Sequence, residues 1–106
     1  MQMTGQIAPE MCFQRKHGVV LRHVAGEHML VPTVAREVDL DSLFLVNDTG
    51  VYVWEHLDGE QSVAVLAEGL ARAYGIPVET ARGDVVYFLA SLIDRRLAER
   101  MAENAS

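Results

Sequence analysis

Four histidines, one cysteine and a short run of alternating carboxylates are the residues of this 106-residue chain whose chemistry could do work. His23 and His28 could meet across a hairpin. Two imidazoles do not complete a zinc site, however, and no Cys or carboxylate stands at ligand spacing from them. His17 and His56 read as solvated or locally hydrogen-bonded. Cys12 lies in an aperiodic segment with no histidine placed to activate it, so a nucleophile is not supported. Glu37, Asp39 and Asp41 alternate in a stretch that reads as a loop. Acid–base catalysis needs surroundings that separate two pKa values, and a solvated acidic loop does not supply them. Gly26, Gly50, Gly59 and Gly75 each suit a turn or a helix end, and no phosphate-cradling loop is present. These residues do not ask for an enzyme, a metal or a cofactor.

Composition narrows the remaining classes. Half the residues are apolar, and the formal net charge is −6, from nine basic and fifteen acidic side chains. A chain of this length and polarity is expected to form one globular domain with a modest core. No apolar run reaches the roughly 18 residues that span a bilayer, and residues 1–18 lack a signal-peptide core. The lone Cys12 fits a reducing cytosol. The acidic balance argues against a general nucleic-acid or anionic-membrane binder.

The elements that must position any site follow from periodicity. Val19–Val24 and His28–Val31 are apolar, β-rich runs around Ala25-Gly26-Glu27, which predicts a hairpin closing at Pro32. Residues 33–42 read as a loop, with a short extra strand open over Thr33–Val38. The stretch from Leu43 to Gly59 admits two readings. Val51, Tyr52 and Val53 after Asn47-Asp48-Thr49-Gly50 would suit a second hairpin. Gly50, Val53, Trp54 and Leu57 instead share one helical face, which predicts a strand entering a helix capped by Asn47 or Asp48 and ended at Asp58-Gly59. Val63, Leu66, Ala67, Leu70 and Tyr74 then form a clean amphipathic stripe, with Ser62 as N-cap and Gly75 as the C-terminal glycine. Pro77 and Glu79 begin a last helix reaching about Leu97.

That last helix is apolar beyond one stripe, through Val85, Val86, Tyr87, Phe88, Leu89, Leu92 and Ile93. The excess must be buried on two sides or await a partner. Three strands followed by three helices also leave a sheet edge with unpaired main-chain groups, a template for an incoming strand. The same order admits a winged helix on DNA. Arg82, Arg95, Arg96 and Arg100 could meet phosphates, yet Asp84, Asp94, Glu99 and Glu103 lie among them and favour a solvated mixed-charge face.

Four segments taken together resemble the PqqD-like family of peptide chaperones: Leu30-Val-Pro32, Val46-Asn-Asp-Thr-Gly-Val-Tyr-Val-Trp-Glu-His-Leu-Asp-Gly59, Val63-Ala-Val-Leu-Ala-Glu-Gly-Leu70 and Asp84-Val-Val-Tyr-Phe-Leu-Ala-Ser-Leu92. The resemblance covers roughly residues 18–98. It implies an α+β, winged-helix-like fold in which a three-stranded antiparallel sheet precedes a three-helix unit. It divides the chain into a flexible lead-in (1–17), a peptide-binding domain (18–98) and a C-terminal tail or helix extension (99–106).

The function implied is non-enzymatic. Such cytoplasmic domains bind the leader segment of a ribosomally made precursor peptide and present it to a modifying enzyme, often a radical-SAM protein. The leader adds as a strand to the third strand and lies against the third helix. By position, that implicates Leu43, Phe44, Leu45 and Val46 on the strand and Tyr87, Phe88, Ser91 and Arg95 on the helix. Two departures stand out. Val46 replaces the Leu usual before Asn, and Arg96 replaces a Gly that commonly ends the last helix, so that helix is expected to run on toward Met101. The 33–42 loop is closer to generic PqqD-like proteins than to the branch acting in pyrroloquinoline quinone synthesis. A DNA-binding winged helix and a homodimerisation module are the alternatives.

Overall fold

A computed structural model describes residues 7–33 and 44–102 of the chain. The order is β1 (Cys12–Arg15), β2 (Val19–Val24), β3 (Glu27–Pro32), β4 (Phe44–Val46), α1 (Asp48–Glu55), β5 (Asp58–Ser62), α2 (Val63–Tyr74), α3 (Val78–Asp94) and β6 (Ala98–Arg100). Strands β2, β3 and β4 form one antiparallel sheet in that order, ahead of three helices. The expected α+β architecture is therefore present. Residues 34–43, which contain the acidic loop, the extra strand left open and Leu43, lie outside the described residues.

The ambiguity after Phe44 resolves as a strand entering a helix. Asn47 is extended, and its side chain accepts from the Gly50 N–H at 2.9 Å, satisfying one of the donors a helix start leaves open. The helix stops at Glu55, three residues before the expected Asp58-Gly59. Its last turn is closed by the His56 N–H on Tyr52 and Val53 carbonyls, and Gly59 uses its positive φ of 83° inside β5. In the β2–β3 hairpin the turn is Ala25-Gly26 alone, because Val24 pairs with Glu27. Both turn residues have positive φ, 52° and 80°, as a two-residue turn matched to strand twist requires.

A second sheet was not expected. β1 lies between β5 and β6, antiparallel to both, so the supposed lead-in contains a structural strand. Its inward residue, Phe13, is 2% exposed. The carbonyls of Met11 and Pro9 also accept from the Val63 and Ala64 N–H groups, which opens α2 without orphaned donors.

The C-terminal helix extension is likewise corrected. α3 ends at Asp94 because Arg96 takes φ 62°, the conformation its absent glycine would have supplied. Leu97 N–H then reaches the Leu92 carbonyl at 2.8 Å and Arg96 N–H reaches Ile93 at 3.0 Å. That is the Schellman closure, and both Leu92 and Leu97, the residues it joins, are buried. The chain leaves as β6 instead of continuing helical.

α2 and α3 follow the expected pattern. Ser62 caps α2 through Val65 N–H at 3.2 Å, and Gly75 at φ 65° ends it. Leu57, Leu66, Leu70, Leu89 and Leu92 fill the core with Leu30 from the sheet, and Val53 and Trp54 join them from α1.

Candidate functional site: an open strand edge beside a helix

The hairpin register decides which main-chain groups of the first sheet are available. Thr33 N–H donates to the Gly18 carbonyl at 2.6 Å. Pro32, which has no N–H, stands opposite Val19. Bonded and non-bonded pairs alternate along an antiparallel ladder. Val20–Val31, Arg22–Met29 and Val24–Glu27 therefore exchange main-chain bonds. On β3 the alternate residues, His28 and Leu30, turn toward β4, where they pair with Val46 and Phe44. Leu45 is left with its N–H and C=O directed away from β3. Among the described residues β4 has no neighbour on that side.

Side chains alternate across the sheet as the main chain alternates within it. Phe44 and Val46 face the helices, and Val46 is buried. Leu45 lies on the opposite face, 62% exposed, and so serves the edge through its backbone. Between β4 and α3 runs a groove of about 460 Å³. Its strand wall is Phe44 to Val46 and its helix wall is Asp84, Tyr87, Phe88 and Ser91. The Phe44 and Phe88 rings stack at 6.0 Å and 16° across its floor, and the Arg95 guanidinium lies 5.1 Å over Phe44. Tyr87 is 77% exposed on the rim. The Ser91 hydroxyl donates to the Tyr87 carbonyl at 3.0 Å, which leaves its oxygen able to accept.

Of the residues implied by resemblance, Phe44, Leu45, Val46, Tyr87, Phe88 and Ser91 thus meet at one groove, and Arg95 covers its Phe44 end. Leu43 lies outside the described residues. Asn47, Thr49, Gly50, Asp84 and Glu27 also line the groove and were not anticipated. Gly50 carried a signal, since its place on the buried face of α1 brings that helix against Val46 and Phe88. The imidazoles of His23 and His28 do meet, edge to face at 4.0 Å, and His28 Nε2 sits 3.2 Å from Asp48 Oδ1. No group of three His, Cys, Asp or Glu that could hold a metal occurs among the described residues. None of their helices is long and apolar enough to cross a membrane.

These features define a class: a small winged-helix-like α+β domain with a strand edge open beside a helix wall that carries two aromatic rings. The pattern of the PqqD family, Coenzyme PQQ synthesis protein D, matches residues 20–98, and the chain belongs to that family. Comparison with curated protein sequences gives no match. Among solved structures, the chain is similar to the PqqD truncation of Methylobacterium extorquens PqqCD, whose solution NMR structure represents a functional, stand-alone RiPP (ribosomally synthesized and post-translationally modified peptide) recognition element. Identity is 25%, the TM-score is 0.72, and the match covers 93% of this chain and 100% of that one. It is also similar in fold to TbiB1 in complex with the TbiA(β) leader peptide, at 20% identity and TM-score 0.63, covering 85% and 99%.

Proposed function

We propose that this protein is a non-enzymatic recognition element that binds the leader segment of a ribosomally synthesised precursor peptide and presents it to a modifying enzyme in the cytosol. The observation that carries the reading is the main chain of Leu45, turned to an open edge that borders the β4–α3 groove. Family membership and the likeness to a stand-alone recognition element support it. The leader adds as a strand beside Leu43–Val46, exchanging main-chain bonds at Leu45. Its alternate side chains enter the groove against Phe44, Phe88 and Tyr87, with Ser91 and Arg95 as polar contacts. Main-chain bonds set register, and the groove sets selectivity.

The test uses Leu45→Pro. A proline is tolerated on an edge strand where its missing N–H faces outward, so the variant keeps its β3 pairing but loses the donor. Titration with a synthetic leader peptide that binds the parent protein is expected to show about tenfold or greater loss of affinity, the worth of one main-chain bond plus the ring's obstruction. Leu45→Ala, which keeps the backbone, is expected to bind nearly as the parent does. A folded Leu45→Pro protein with parental affinity would overturn strand addition at this edge. Duplex DNA that displaces the leader and is itself lost steeply with salt would replace the reading with a nucleic-acid one.

A further inference from the structure

The first sheet has a second terminal strand. β2 has β3 on one side and no neighbour on the other among the described residues. By the alternation derived above, Val19, Leu21 and His23 direct their N–H and C=O groups to that free side. The edge is neither shortened nor interrupted by proline: at six residues β2 is as long as any strand here. Beside its start lies a concavity of about 570 Å³, which includes Arg15, Lys16, His17 and the β2 residues Val19–Leu21. Glu55, from α1, is the one carboxylate in its wall.

Charge makes this edge different from the rest of the molecule. Residues 11–26 hold Arg15, Lys16, Arg22, His17 and His23 and no carboxylate, in a chain whose acids outnumber its bases fifteen to nine. All five of these side chains are exposed. The Arg15 guanidinium rests 5.9 Å over the Trp54 ring, which fixes its place at the shelf. Lys16, His17 and Arg22 have no ion-pair partner among the described residues.

We infer that the β2 edge is a second strand-accepting surface, and that its occupant is an extended acidic segment of the modifying enzyme. The inference rests on the proposed function, because a protein that presents a peptide must hold the enzyme at a surface the peptide leaves free. The β2 and β4 edges lie on opposite sides of β3, about 10 Å apart at the usual strand spacing, so both can be occupied at once. Main-chain bonds at Val19, Leu21 and His23 give the register, and Arg15, Lys16, His17 and Arg22 select for carboxylates. Nucleic acid matches the charge but cannot use the exposed N–H and C=O ladder.

The experiment titrates the isotope-labelled full chain with a capped synthetic peptide alternating Glu and Thr, against Gln–Thr and Lys–Thr counterparts. The Glu peptide is expected to shift the amides of Val19, Leu21 and His23 and the residues of the 15–17 shelf, leaving Leu45 unmoved. Lys16→Glu combined with Arg22→Glu, both at exposed positions, is expected to weaken it about tenfold through reversed charge pairs. N-methylating alternate amides of the Glu peptide is expected to abolish binding in one of the two alternations. Leader-peptide binding at β4 is expected to be unchanged in the double variant and additive with the Glu peptide. Equal binding of the Gln peptide, shifts at Leu45, or an unaltered affinity in the double variant would each overturn the inference. So would a single-stranded oligonucleotide binding the shelf more tightly than the Glu peptide. Failure of Leu45→Pro to affect the leader bears only on the β4 reading, so the two outcomes are separable.

Discussion

Two residues without glycine's freedom occupy positions where the backbone asks for it. Ala25 opens the β2–β3 turn at φ 52°, and Arg96 ends α3 at φ 62°. A left-handed residue with a Cβ costs about 1–2 kcal/mol, and glycine returns roughly 0.5–1 kcal/mol of that in unfolded-state entropy. Arg96→Gly is therefore expected to raise stability by up to about 1 kcal/mol in a denaturant titration. Ala25→Asn, which creates the Asn-Gly pair this turn type favours, is expected to do the same by about 0.5–1 kcal/mol. A third residue ties stability to pH. The Asp58 carboxylate is held below its ordinary range by the Glu60 N–H at 2.9 Å and then by Gln61. A depressed folded-state pKa contributes stability above the unfolded value and loses it as pH falls through the folded one. Asp58→Asn is expected to flatten the dependence of melting temperature on pH below about 4 and to lower the melting temperature slightly at neutrality, where the ionised carboxylate contributes.

At the scale of elements, the groove depends on how closely α1 approaches its neighbours. A Cβ at Gly50 would lie 2.6 Å from Val46 Cγ1 and 3.0 Å from Phe88 Cε1. Overpacking of this kind costs about 1–3 kcal/mol, more than the roughly 0.5–1 kcal/mol of helix propensity that alanine adds. Gly50→Ala should thus destabilise the fold and push the Phe88 ring into the groove, weakening leader binding. Gly83, in the middle of α3, meets nothing within 4 Å, so Gly83→Ala should add about 0.5–1 kcal/mol. A paired denaturation and binding measurement on the two variants separates a packing glycine from an idle one. The same contrast explains which elements could be read in advance. α2 was legible because its stripe and both its caps, Ser62 and Gly75, lie within fourteen consecutive residues. α1 was legible on its apolar face but not at its end, where no residue between Glu55 and Gly59 signals a stop. The apolar excess of α3 announced a groove. That Leu45 alone among Phe44–Val46 faces the open edge needed the register of a hairpin twenty residues earlier.

At the scale of the whole molecule, β1 is what sequence periodicity could not reveal and what joins the two ends of the chain. Cys12 pairs with Ser62, and Phe13 with Arg100. Its partners are therefore remote in sequence, and only Phe13 is buried deeply enough to mark it. The family pattern covers residues 20–98 and omits this strand. The folding unit nevertheless needs it: without β1, β5 and β6 lose their shared neighbour, and the first N–H groups of α2 lose the Met11 and Pro9 carbonyls. Truncating Phe13 to alanine removes a nearly sealed aromatic ring, a change that costs about 3–5 kcal/mol. Domains of this size hold only about 5–15 kcal/mol in total. A fragment of residues 18–98 is accordingly expected to unfold without a cooperative transition, whereas residues 7–102 melt as the full chain does. Scanning calorimetry distinguishes them, and a cooperative, parental melt from 18–98 would show that the second sheet is dispensable. In that case the β4 edge would not depend on it either, because that edge is set by the register of β2, β3 and β4. Leader binding by the short fragment would then match the full chain, whereas binding of the acidic peptide would weaken with the loss of Arg15, Lys16 and His17.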